Sequence, residues 1–335
     1  MGLSFGVSEA PRVFAEAVAP FGAGEARPAL RVTLRADELS AHGEIVGWPG
    51  RRPLPDVSSV YAAGACVVGL RPERGRLQEA LERLADPALV PGAAWAWAAA
   101  FAELVAAAEG VSLPALWRGE IAPLAGAPSA CETTGLMLAL GPPPPGRGMK
   151  LKIRPGMDAH AVRQLAGARP AGTLRLDGNH SLALREAELL AEASGEALQW
   201  LEEAVAPEDA SSLGERWPVA LDESLADGSL DDVARLIDAT AARALILKPA
   251  VLGPARTLGL AALGASRGLS VVVSSLFEGA TGLAALAALQ AGLAPDVAAG
   301  LGTGRFLIAQ DASQVGADGR LMLPLPSPGG VERVP

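Results

Sequence analysis

The chain has 335 residues, half of them hydrophobic and 19% charged, with a formal net charge of −9. That length suits two domains, the composition supplies a large core and argues against disorder, and the negative balance argues against a nucleic-acid surface. The start, Met1–Phe14, has no basic segment before an apolar run, and the longest uncharged stretches (87–102 and 279–295) contain Pro or Gly and fall short of a bilayer span, so the expectation is a cytoplasmic protein with no leader and no membrane insertion.

In chain order, residues 28–48 alternate, with Leu30, Val32 and Leu34 on one face and Arg31, Thr33 and Arg35 on the other, as in a half-buried strand. SAHGEIVGW reads as a second strand, and the apolar run Ala63–Leu70 as a third. Helical patterns follow at 75–86 and 93–109; within the latter, Trp95 and Trp97 are two apart and are not both expected to face the core. These elements make a small α+β domain.

After it the rhythm changes. Short apolar segments end at polar residues: MKLKI, TLRLDGN, LQWLEE, VALDES, ALILKP, LSVVVSS and VAAGLGT, most of them separated by helical stretches. Strand–helix alternation of this kind predicts a parallel sheet. Seven or eight strands in so short a length favour a closed (β/α) barrel, whose reactive residues sit at the strand C-termini. ETTGLMLAL reads as the first barrel strand, yet only the Pro-rich GPPPPGRG (141–148) separates it from MKLKI. The first barrel helix is therefore expected to be missing, because a parallel crossover usually contains one.

Of the 28 basic residues only three are lysines, Lys150, Lys152 and Lys248, and Asn179 is the one asparagine. Arg stays charged in proteins, whereas Lys can lose its proton when its surroundings favour that. All three lysines fall at strand ends, as do Asp177, Glu202 and Asp222, at steps of 20 to 26 residues that each approximate one strand–helix unit. Three carboxylates from neighbouring strands make a hard-oxygen cage suited to Mg²⁺, with Mn²⁺ as a possible substitute. Lys150 and Lys152 share a strand face, and their mutual repulsion is expected to lower the pKa of one of them toward that of a general base. Lys248 is expected to enter from the opposite side of the mouth. Asn179 suits either a left-handed turn position or a side chain that orients a metal ligand or contacts substrate. Cys66 and Cys131 have no metal-ligand or disulfide spacing. His42, His160 and His180 read as surface or turn residues, His180 with the alternative of lining the mouth after the Asp177 turn, and Gly300–Gly304 as the end of the last strand.

The strand-end order K-x-K, D-x-N, E-E, D-E-S, K-P, carried by MKLKI, LRLDGN, WLEE, ALDESL, LKP, VVSSLFEGATGL and GLGTGRF, resembles the enolase superfamily in its muconate-lactonizing-enzyme-like branch, and within it the o-succinylbenzoate synthases of menaquinone biosynthesis. The resemblance implies a modified (β/α)7β TIM barrel (129–305) and an N-terminal α+β capping domain (1–128). The chain end (306–335) would return to the cap, and mobile loops near 20–29 would close over the mouth. It implies Asp177, Glu202 and Asp222 as Mg²⁺ ligands. Lys152 would be the base that removes the proton α to the substrate carboxylate and then protonates the departing hydroxyl, and Lys248 a cation beside the intermediate. Lys150 belongs to the same catalytic group. Asn179, Glu223, Ser274, Ser275 and Gly302 would bind substrate or support the site. The implied substrate is a small dicarboxylate, and a homo-oligomer is compatible.

Departures from the family pattern are Ala204–Val205 where Pro usually follows the acidic pair, and Gly47–Trp48–Pro49–Gly50 in place of G-W-G-E. The first leaves Glu203 as a rival to Glu202, which is preferred because the family's second position is often Gln. N-succinylamino acid racemase or dipeptide epimerase chemistry would use the same residues. A Schiff-base aldolase using Lys248 and a non-catalytic binding protein are the alternatives from other classes.

Overall fold

A computed structural model describes residues 3–18, 21–47, 53–119, 130–141, 144, 148–308 and 320–322. The first part carries β1 (Ser4–Glu9), β2 (Arg12–Val13), β3 (Ala26–Arg27), β4 (Ala29–Ala36) and β5 (Leu39–Val46). An antiparallel sheet of order β1–β4–β5 presents Leu30, Val32 and Leu34 to the core and leaves Arg31 and Arg35 exposed, as the alternation predicts, whereas Thr33 between them is buried with its hydroxyl 3.0 Å from His42 Nδ1. Its helices are α1 (Val57–Ala65), α2 (Arg74–Arg83), α3 (Pro91–Glu109) and α4 (Leu113–Trp117).

Two expectations fail here. The third strand of the sheet is β1, and the run expected as a strand at Ala63–Leu70 instead ends α1 and turns. Asp56 starts that helix by accepting from the Ser59 amide at 2.8 Å, and Trp97 Nε1 donates to Val60 O at 2.8 Å to hold it against α3. Trp95 and Trp97 are both buried, at 3% and 0% exposure. The first-domain sheet covers one side of α3 and the barrel covers the other, so this helix has core on both faces. Trp97 packs at Phe5, while Trp95 stacks on Trp117 with ring centroids 6.1 Å apart, in the cluster that holds Leu283 and Leu286.

The second part contains β6 (Ala130–Met137), β7 (Met149–Lys152), α5 (Ala159–Gly167), β8 (Leu174–Asp177), α6 (Leu184–Ser194), β9 (Leu198–Glu202), α7 (Ala210–Gly214), β10 (Val219–Leu221), α8 (Leu230–Thr240), β11 (Ala244–Leu247), α9 (Pro249–Ser266), β12 (Ser270–Val273), α10 (Ala280–Leu293) and β13 (Ala299–Gly302). Parallel pairing runs from β12 through β6 to β13, and a Ser274–Gly300 bridge joins the two ends into an eight-stranded barrel. A Cβ on Gly302 would lie 2.5 Å from Thr134 O, so closure of the β13–β6 seam requires glycine. No helix lies between β6 and β7 among the described residues. β14 (Arg320–Met322) adds antiparallel to β6.

Helix ends follow sequence. Ser229 caps α8 by accepting from the Asp232 amide at 3.1 Å, and Asp232 accepts back from the Ser229 amide at 2.8 Å. Inside the barrel Trp200, Ala220, Ala244, Ile246 and Val272 form a floor, over which the buried Arg175 guanidinium lies 4.3 Å from the Trp200 ring centre. No described helix is long and apolar enough to cross a membrane. Trp48–Arg52, most of 141–148, and most of the chain end lie outside the described residues, and with them the Gly-Trp-Pro-Gly departure and the Pro-rich connection.

Candidate active site

Every lysine in the chain reaches one end of the barrel. β7 places Lys150 and Lys152 on the same face, because side chains two apart in a strand point the same way. Both touch Asp177 Oδ2 at the end of β8, at 2.8 and 2.6 Å. Lys150 also donates to Glu202 Oε1, at the end of β9, at 2.8 Å. Lys248, just after β11, pairs with Asp222 and stands 3.6 Å from Glu223 Oε1. Asn179 has φ of +43°, and its amide also joins the site: Oδ1 accepts from Lys152 and Nδ2 donates to Glu223 Oε1 at 2.7 Å. The left-handed turn reading of this residue holds, and its side chain bridges a lysine and an acid of the site.

The electrostatics differ from the sequence expectation in one respect. Burial works against the Lys150 charge, but Asp177, Glu202 and Asp222 outweigh it and hold the ammonium above its ordinary pKa. The depression expected for one of the two β7 lysines does not fall on Lys150, because three acids surround it. Burial likewise opposes the Lys248 charge, and Asp222 and Glu223 raise its pKa. Asp177 is kept ionised against its burial by Lys150 and Lys152, whereas burial and the Asp177 charge push Glu202 up.

These groups open onto a cavity of about 1270 Å³. All the expected site residues line it except Asp177 and Glu202, which lie at 0% and 1% exposure beneath the lysines. Ser274, Ser275 and Gly302 form the side across from the acids, where the Ser275 and Thr303 hydroxyls are 2.6 Å apart. Ile246, Val251, Leu252 and Phe277 make that side apolar, and Ala17 and Val18 of the first part complete it.

Asp177 Oδ1 is buried without a hydrogen-bond partner. An orphaned carboxylate oxygen beside two further desolvated acids is a donor set that fits a hard divalent cation. A second group lies nearby, joining Glu203 and Glu223 to a histidine that the sequence spacing does not connect with them. His180, Glu203 and Glu223 bring ligand-type atoms within 4.8 Å of one another. His180 Nδ1 lies 2.9 Å from Val205 O, and Glu203 Oε1 accepts from the amides of Asp222 and Ser224, both at 2.9 Å. Glu203 thus holds the backbone that presents Asp222. The Glu-Glu pair was the signal for it, and His180 is more than the turn residue expected.

A family model described as Enolase C-terminal domain-like matches residues 145–323. Over 144 residues the chain is 29% identical to an N-succinylamino acid racemase of Thermus thermophilus, covering 41% of this chain and 38% of that protein. Only a little over a third of that relative's length is therefore matched. Among solved structures, a mandelate racemase/muconate lactonizing protein from Herpetosiphon aurantiacus superposes with a TM-score of 0.75 at 19% identity, covering 96% of this chain and 95% of that one. A member of the enolase superfamily from Roseovarius nubinhibens, complexed with magnesium, superposes with a TM-score of 0.72 at 18% identity, covering 96% and 93%. At such identities the likeness establishes the fold.

Proposed function

The chain belongs to the enolase C-terminal domain-like family, a family of enzymes, and from that premise we propose that it is a Mg²⁺-dependent o-succinylbenzoate synthase. The reaction would be syn dehydration of 2-succinyl-6-hydroxy-2,4-cyclohexadiene-1-carboxylate to 2-succinylbenzoate. One observation carries the reading: Lys152 and Lys248 open onto a single cavity, with buried acids between them and an apolar wall opposite. The cavity is somewhat larger than the roughly 300–1,000 Å³ usual for small-molecule sites. That leaves room for a ring with a succinyl arm.

Asp177, Glu202 and Asp222 would hold the cation, and when bound it supplies positive charge against the charge that develops on the substrate carboxylate. Lys152, unprotonated, takes the proton α to that carboxylate. As an ammonium it returns the proton to the departing hydroxyl, so water leaves and the ring becomes aromatic. Lys248 keeps its proton and opposes the negative charge from the other side. Asn179 orients Lys152 through its side-chain oxygen. Ser274, Ser275 and the backbone near Gly302 meet the succinyl end. The same reading places the domain boundary near 128/129 and returns the chain end after 305 to the first domain. Hydrogen bonds from Ala15 N to Phe306 O (2.8 Å) and from Ile308 N to Val13 O (3.0 Å) support the start of that return. A cytoplasmic location belongs to this proposal.

A second reading, racemisation of N-succinyl amino acids, has its own support. Lysines flank the cavity on both sides, and the Thermus relative bears that name. Incubation with N-succinyl amino acids in D₂O separates the two. Fast exchange of the α-proton supports the racemase, while no exchange alongside dehydration of the cyclohexadiene removes it. An aldolase would instead be inactivated by borohydride in the presence of a carbonyl substrate and would ignore EDTA.

A further inference from the structure

The turn that follows β12, residues 274–279, brings Ser274, Ser275, Leu276 and Phe277 to the cavity wall. Within it Phe277 has φ of +61°, a conformation that a residue with a Cβ adopts only where its surroundings impose it. Those surroundings come from the first domain. Arg27 on β3 is fully buried, and its Nε donates to Gly47 O within its own domain. Its Nη1 donates to Leu276 O and to Phe277 O, the latter at 3.3 Å. A second tie lies beside it. Glu44 on β5 accepts from Arg12 Nε at 2.8 Å, from Gly279 N at 2.8 Å and from Gly282 N at 3.0 Å, at the start of α10. A Cβ on Gly279 would come within 2.2 Å of Arg12 Nε, so the two parts meet without slack. The Phe277 ring packs with centroids 5.9 Å from both Phe14 and Phe306.

We propose that Arg27 is a positioning residue for the substrate pocket: by holding the Leu276 and Phe277 carbonyls it fixes the Phe277 ring as the wall against which the apolar ring of the substrate rests. The identity of that ring rests on the function proposed above; the clamp itself does not. Lys at this position has the charge but not the planar fork that reaches carbonyls of both domains. The buried carbonyls of a left-handed turn need such a donor, because leaving them unpaired is costly. The pocket wall then exists only when the first domain is docked.

Arg27→Met, Phe277→Ala and the double variant are compared with the parent by steady-state kinetics and by amide hydrogen exchange. Arg27→Met is expected to raise KM about tenfold, the scale of a lost apolar pocket contact, with little change in kcat. Phe277→Ala is expected to do the same, and the double variant to be no worse than either single one, because both changes act on one contact. Exchange in 274–279 is expected to speed up in Arg27→Met while α5 and α6 keep their protection. If Arg27→Met does not fold, Arg27→Lys is measured in its place. Unchanged exchange in 274–279, multiplied KM effects in the double variant, or a fall in kcat at constant KM each overturns the proposal. If the parent turns over neither substrate, the function reading falls, and the exchange measurement still decides the clamp.

Discussion

The two sides of the cavity mouth are built on different principles. From β7 to β11 each strand end delivers charged groups directly into the site, and Asp177, Glu202, Asp222 and the three lysines interlock within hydrogen-bonding reach. From β12 round to β13 the mouth is apolar and hydroxylic, and its shape is imposed by an arginine and a glutamate from the first domain. Charge is thus gathered in a self-contained half, and the apolar wall in a half assembled from two parts. Such a division lets the pocket wall change without disturbing the acids and lysines.

The largest expected effects lie on the charged side. Lys152→Ala should lower kcat by about 10³–10⁴-fold, the upper end of what a positioned proton-transfer group contributes, with circular dichroism and thermal unfolding showing an intact fold. Next come the acids. Glu202→Gln should weaken Mg²⁺ binding, measured by calorimetry, by more than the roughly 10–100-fold typical of residues that support a ligand. Glu203→Gln should stay within that range, because Glu203 acts through the Asp222 and Ser224 amides. The reverse order would reassign the ligand.

On the apolar side the expected effects are smaller and concern stability and fit. Glu278 is buried, and burial raises its pKa to about 7, helped by Glu44 and opposed by Arg27. A carboxyl whose pKa is higher folded than unfolded favours folding below the unfolded value, and that contribution is lost as pH rises through the folded one. The native protein should therefore lose stability between about pH 4.5 and pH 7 through this group, by on the order of 3 kcal/mol. Glu278→Gln should flatten that slope in denaturant titrations at several pH values. An unchanged slope would mean that the network between the two parts is not desolvated. Back on the charged side, the smallest effect expected is that of Asn179→Gly, which keeps the left-handed turn but removes the amide between Lys152 and Glu223. Turnover should fall about tenfold with unfolding unaffected.

How much of this was legible in the sequence follows the same division. Strand ends spaced by one strand–helix unit announce a barrel, and three lysines among 28 basic residues mark its charged side. The sequence does not show that three acids close around Lys150, so repulsion within the lysine pair gave no way to say which of the two would keep its charge. Ala63–Leu70 misleads because a short apolar run has no period of its own, and the cap at Asp56 with its small residues decides for a helix. Trp95 and Trp97 mislead because helical periodicity presumes one solvent face, and α3 has none at that point. Arg27 carries no motif at all. It is one arginine among many, and its partner carbonyls lie 249 and 250 residues further along the chain, so only the folded molecule brings them together.

The central claim is that Lys152, beside a cation held by Asp177, Glu202 and Asp222, removes the proton α to a carboxylate. The most direct test follows 2-succinylbenzoate formation from the hydroxycyclohexadiene substrate in the parent and in Lys152→Ala, each with Mg²⁺ and with EDTA. The account predicts rapid aromatisation only in the parent with Mg²⁺. Equal rates in Lys152→Ala, or undiminished rates in EDTA, would contradict it.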